Sequence, residues 1–297
     1  MTSLLQKRLH FFTGKGGVGK TTVASLFALI AAETGKKVLL IDLDPESKPL
    51  APSIDRILIE PMTSLREFIV RQIKIEKIYD LIFDNKIFHF FIKAAPGVEE
   101  MAIIGKIYYL TEERFQKKLR WDMLIVDAPA TGHGLYLFKI PKVFIDLTQK
   151  GPLAEQSKKI YSMLTDRKQT AIHVVTIPEE LPVQETIELF AEIKKLKLPP
   201  GELFLNKTLA EIENDSSHSE RRGSPRSEES PLFSFSTIQQ TLLHYQTRQK
   251  IQRSYQERLE KIVSKKSFSI PWIFEPLEDP ETLKILSQRL AREWAPF

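Results

Sequence analysis

The chain of 297 residues contains no cysteine. That absence excludes thiolate nucleophiles, cysteine-ligated zinc, iron–sulfur clusters and thiolate-held arsenite from within it. It fits a reducing compartment, and a chain of this length builds a core large enough to need no disulfide or metal staple. Long hydrophobic runs are also missing. The longest, around VASLFALIAA, has the length of a buried helix and falls short of a bilayer span. The N-terminus, MTSLLQKRLH, lacks the apolar centre of a signal peptide, so a cytoplasmic location is expected. Neither sign of charge dominates. A net charge of +5 is compatible with nucleic acid, an anionic membrane surface or neither, and an ordinary basic enzyme is favoured over a nucleic-acid binder.

What is present is a set of short, continuously apolar segments. Residues 8–13, KKVLLIDLD (36–44), DMLIVDA (122–128), AIHVVTI (171–177) and ELFLN (202–206) do not alternate polar with apolar, and SFSI (267–270) is a candidate last strand. That pattern suits strands of a parallel sheet covered on both faces. Helical patterns separate them. Val23, Leu26, Phe27, Ile30 and Ala31 share one face over 20–34, and Gly35 follows as a C-terminal stop. Further helices are expected over 182–197, roughly 236–264, and in PETLKILSQRLARE near the end. The alternation predicts an α/β fold, a doubly wound, mostly parallel sheet flanked by helices, in a single domain over 1–297. Residues 64–120 contain no convincing strand but carry Leu65, Phe68, Ile69 and Ile73 at helical spacing, which predicts a helical insertion. Residues 214–231 are too polar to bury much surface, which predicts a flexible loop.

Between the first strand and the first helix lies GKGGVGKTT (14–22). Gly14, Gly19, Lys20 and Thr21 fit G-x-x-x-x-G-K-[ST]. Glycines let successive backbone N–H groups turn inward onto phosphate oxygens, and the following helix adds the positive end of its dipole. Lys20 is expected to reach the β- and γ-phosphates and the Thr21 hydroxyl to ligate Mg²⁺. The whole loop, Gly14, Lys15, Gly16, Gly17, Val18, Gly19, Lys20, Thr21 and Thr22, is the expected nucleotide cradle, with ATP and Mg²⁺ as its ligands. The strand before it and the helix after it supply the context that a chance match lacks.

Lys15 is a second lysine where one holds the phosphates. Its place resembles the signature lysine of the deviant P-loop group, K-G-G-x-G-K-[ST]. That resemblance implies a dimer with nucleotide at the subunit interface, in which Lys15 reaches the opposing subunit's phosphates as an arginine finger does. Asp44-Pro45, at the end of the second strand, resembles the switch I pair of the arsenical-pump and tail-anchored-protein-targeting ATPases, where the aspartate orients or deprotonates the attacking water. Asp42 competes nearby; it either contacts Mg²⁺ through water or packs at the strand end. Asp127, closing DMLIVD, is expected to hold a Mg²⁺-bound water. With Thr131, Gly132 and His133 it resembles the same family's switch II, Pro129 lying one place earlier than in the commonest form. For His133 a structural hydrogen bond is favoured over a general base. Asn206 sits where the family places the asparagine that recognises adenine, although an asparagine there can equally cap a turn.

The family resemblance runs over 9–206 and implies a conformational cycle acting on a protein client. In the targeting branch the client is a tail-anchored membrane protein held in an apolar groove. Phe83, Phe88, Phe90, Phe91, Tyr108 and Tyr109 are candidates for such a groove, with packing inside the insertion favoured for most of them. Met62 and Met101 are the only methionines nearby, which weighs against an adaptable groove. Without cysteine, neither an arsenite-stimulated pump subunit nor a zinc-clamped dimer is expected. Two other readings stand beside this one: a partitioning-type ATPase that binds DNA or membrane, which T-G-H weighs against, and a nucleotide-binding scaffold without turnover.

Overall fold

A computed structural model describes residues 4–45, 51, 53–73, 95–129, 131–148, 150–210, 235–274 and 279–294. The central sheet has seven strands, β1 (Leu9–Thr13), β2 (Val38–Asp42), β3 (Asp55–Leu58), β6 (Met123–Asp127), β7 (Thr170–Thr176), β8 (Pro200–Thr208) and β9 (Ser267–Pro271). Their order is β3-β2-β6-β1-β7-β8-β9, and every pairing is parallel. Eight helices accompany them among the described residues: α1 (Lys20–Glu33), α2 (Pro61–Ile73), α3 (Val98–Glu112), α4 (Thr131–Thr148), α5 (Pro152–Thr165), α6 (Glu180–Lys195), α7 (Phe235–Val263) and α8 (Pro280–Glu293).

The continuous apolar runs have a direct cause. Successive strand residues point to opposite faces, and both faces are covered. Leu39 and Ile41, Leu124 and Val126, and Leu9 and Phe11 join one core with α3 to α7. Val38 and Leu40, Met123 and Ile125, and Phe12 join the other, under α1 and α8. β1 is fully buried and lies centrally, between β6 and β7. The loop that follows it therefore opens at the C-terminal edge of the sheet, where ligands of open α/β sheets bind. α1 ends as its sequence predicts: Gly35 has φ 84°, just past the C-cap Thr34.

Two features depart from the sequence reading. β3 is a seventh strand, exposed and charged on an edge. Within 64–120, β4 (Arg114–Phe115) and β5 (Lys118–Leu119) form a small antiparallel hairpin where no strand is expected. Its two-residue turn places Gln116 and Lys117 at φ 50° and 67°. That is the backbone of a tight hairpin turn made without the usual glycine or asparagine. Phe83, Phe88, Phe90 and Phe91 lie outside the described residues, as does the polar stretch 214–231. Tyr108 and Tyr109 sit on α3, their rings 5.8 Å apart edge to face, and Tyr108 packs against the core.

Candidate functional site

Two glycines fix the loop between β1 and α1 by close approach. A Cβ on Gly14 (φ 152°) would stand 2.1 Å from the Val175 carbonyl oxygen, and one on Gly19 (φ 87°) would stand 2.2 Å from Nδ2 of Asn206. The loop is thus seated on the ends of β7 and β8, and neither glycine can gain a side chain without moving it. Gly19 is also the N-cap of α1, whose first turn carries no acidic residue. No side chain of the helix itself caps or neutralises its positive end, the local requirement for holding phosphate.

Thr21, in the first turn of α1, donates its hydroxyl proton to Oδ2 of Asp127 at 2.5 Å. Asp127 ends β6, beside β1, so the parallel register brings residues 106 positions apart into contact. The other carboxylate oxygen of Asp127, Oδ1, is buried without a hydrogen-bond partner. Burial, with help from Asp42 and Asp44, pushes the Asp127 carboxyl up to about 6; the Thr21 hydroxyl and Lys20 pull the other way. A buried carboxylate with an unspent oxygen and a raised pKa calls for a positive partner. Lys20 donates to the Lys15 carbonyl oxygen at 3.1 Å, and burial lowers its pKa against the attraction of Asp127 and Asp44. Partly buried and bound to one neutral acceptor, its ammonium is held ready for an anion.

The residues fit Mg²⁺. Among the described residues no group of three or more His, Asp or Glu forms a closed cage. Mg²⁺ is ordinarily held by one or two protein oxygens, with water and phosphate completing its octahedron. The Thr21 hydroxyl is a candidate direct ligand, and the unpartnered Oδ1 of Asp127 is a candidate acceptor for a metal-bound water.

Asp44 is exposed just past the end of β2, close enough to influence both Lys20 and Asp127. Asp42, by contrast, is buried and ion-paired with Nε of Arg56 from β3. Asn206 closes the floor of the site. Its Nδ2 donates to the Val18 carbonyl oxygen at 2.9 Å, and its Oδ1 accepts the Lys207 N–H at 2.9 Å. One donor and one acceptor position of the amide stay unused by these contacts. The Lys15 ammonium pairs with Oε1 of Glu185 on α6 at 2.9 Å, within its own chain. The side chains of Thr131, Gly132 and His133, at the start of α4, lie outside what the structure describes.

Sequence reasoning passed over Glu185 and Lys207. Lys207 donates to the Gly17 carbonyl oxygen at 3.3 Å. It directly follows Asn206, so adjacency to a candidate residue was a usable signal. Glu185 lies in VQET, 170 residues from Lys15, and nothing local announces the pair.

The sequence is similar to known nucleotide-binding proteins. The sequence profile of the CobQ/CobB/MinD/ParA nucleotide-binding domain matches residues 9–216. ATPase BagA of Mycobacterium tuberculosis is 32% identical over 223 residues, covering 68% of this chain and 65% of the relative. The arsenical pump-driving ATPase of Acidiphilium multivorum is 27% identical over 235 residues, covering 68% and 40%. ATPase GET3C of Arabidopsis thaliana is 22% identical over 277 residues, covering 72% and 70%. The chain thus spans about two thirds of the length of the Mycobacterium relative.

Proposed function

This chain belongs to the CobQ/CobB/MinD/ParA nucleotide-binding family, in its arsenical-pump-type ATPase branch, and from that premise we propose that it is a dimeric, Mg²⁺-dependent ATPase driving a conformational cycle on a protein client. The observation that carries the reading is the Thr21–Asp127 contact, with an unspent Asp127 oxygen beside it and the partly buried Lys20 in the same loop. A structural Gly-rich turn has no need of a buried, unpaired carboxylate oxygen.

In the proposed reaction ATP loses its γ-phosphoryl group to water, giving ADP and phosphate. Bound Mg²⁺ would neutralise charge on the β- and γ-phosphates. The N–H groups of Gly14 to Thr22 wrap the phosphates, and Lys20 exchanges the Lys15 carbonyl for phosphate oxygens. Asp44 orients or deprotonates the attacking water. Lys15 is supplied to the second copy's site, where it meets charge that grows on the γ-phosphoryl oxygens; such trans-acting cations contribute on the order of 10³–10⁵ in rate. Asn206 offers its unused donor and acceptor to the adenine edge while its Val18 contact ties base recognition to the phosphate loop.

The nucleotide-dependent angle between two copies is the proposed output, acting on a protein client of which a tail-anchored membrane protein is one class. No helix among the described residues is long and apolar enough to cross a membrane. The test is phosphate release with and without Mg²⁺, for the wild type and Lys20→Ala. Mg²⁺-dependent turnover lost in the variant is the expected result. Turnover that survives Lys20→Ala would assign hydrolysis to a contaminant or to another site.

A further inference from the structure

The site holds Lys15 in a way that the proposed reaction does not use. Its ammonium is 2.9 Å from Oε1 of Glu185, and the two side chains are 35% and 39% exposed. Oε2 of Glu185 is buried and lacks a partner. The backbone carbonyl of the same Lys15 accepts from Lys20. Both lysines of the loop are therefore engaged within one chain, one by a carboxylate and one by a peptide oxygen. We propose that Glu185 is a positioning residue that latches Lys15 in cis, so that the single chain withholds the cation which a second copy's bound triphosphate needs.

This rests on the trans-acting reading of Lys15. The exchange follows from charge. A triphosphate draws Lys20 off the Lys15 carbonyl, which frees the loop backbone carrying Lys15. Lys15 then leaves one carboxylate for a polyanion across the interface, and Glu185 returns to water. Because the latch is a half-exposed pair, its hold is modest. It sets a threshold for engagement and does not block it.

Glu185→Gln keeps the shape and removes the charge. The protein concentration giving half-maximal ATPase rate should fall about two- to thirtyfold, the range expected when each dimer opens two partly exposed ion pairs. The KM for ATP at saturating protein should be unchanged, and so should the rate at saturating protein. In the Lys15→Ala background, where turnover is too slow to read, the same substitution should leave the monomer–dimer constant with Mg·ATP, measured by sedimentation, unchanged within error. A half-maximal concentration that stays put or rises with Glu185→Gln, while Lys15→Ala is strongly impaired, would overturn the latch and leave the trans-acting lysine standing. Lys15→Ala at the wild-type rate at every concentration would remove the reading beneath it. Equal shifts in the presence and absence of Lys15 would assign Glu185 a merely structural role.

Discussion

Lowering the pH should weaken this fold through one buried pair of histidines. His10 on β1 and His173 on β7 are fully buried, with Nδ1 of His10 2.9 Å from Nε2 of His173. The Glu202 N–H donates to Nδ1 of His173 at 2.8 Å, so the His173 proton sits on Nε2 and is given to His10. The Nε2 proton of His10 goes in turn to the Lys7 carbonyl oxygen at 2.9 Å. Every ring nitrogen is satisfied with both rings neutral, and there is no acceptor for a further proton. Phe12, Phe27 and Phe204 pack around the pair, and the nearby charges are the cations Lys7, Lys36 and Lys265. Burial holds His10 down to about 4 and pushes His173 well below its ordinary value, with the positive neighbours acting in the same direction. Both folded values lie below the unfolded one, so the full contribution is present above about pH 6.5 and is lost as the pH falls. At pH 5 each histidine costs about 2 kcal/mol, from about 1.5 units at 1.36 kcal/mol each, and the pair about 4 kcal/mol. Urea unfolding at pH 7.5, 6.5, 5.5 and 5.0 should be compared between the wild type and His10→Gln/His173→Gln. The stability advantage of the wild type should shrink by about 4 kcal/mol across that range, which at about 3 kcal/mol per M is a relative midpoint shift of more than about 1 M. A constant gap, or one that widens toward acid, would refute the reasoning.

Other consequences concern the nucleotide. Asp127→Asn keeps an acceptor for the Thr21 hydroxyl but removes the charge, so Mg²⁺ stimulation of hydrolysis should fall at least about 100-fold while ATP still binds without metal; equilibrium dialysis and phosphate release read the two separately. Gly14→Ala drives a Cβ to 2.1 Å from the Val175 oxygen, so ATP binding by isothermal titration should drop below detection even if the fold persists. Asn206→Ala should weaken ATP by about 1–3 kcal/mol and weaken GTP less, measured by competition; equal losses would leave the residue only its hold on Val18.

Much of the fold is legible in the sequence, for a reason visible in β1, β2 and β6. Buried on both faces, they read as unbroken apolar runs, and a glycine-rich loop marks where the first of them opens. β3 reads poorly because DRIL is short, charged and exposed at an edge, where only one neighbour and little burial constrain it. The 114–119 hairpin hides because Gln116 and Lys117 occupy a positive-φ turn with no glycine to announce it. At the site, local motifs locate Thr21 and Asp127, since each sits at a strand or helix end. What motifs cannot supply is long-range pairing. Arg56 claims Asp42 from the edge strand, and Glu185 claims Lys15 from α6. Both are contacts that only the folded topology creates.

Mixing two inactive proteins tests most directly whether the lysine acts across an interface. Lys15→Ala keeps its own Asp44 but offers no trans lysine; Asp44→Asn offers the lysine but does not activate water. In a random equal mixture about half the dimers are mixed, and each of these carries one complete site, so about one quarter of the wild-type rate should return. A mixture whose rate equals only the average of its two components would contradict the account.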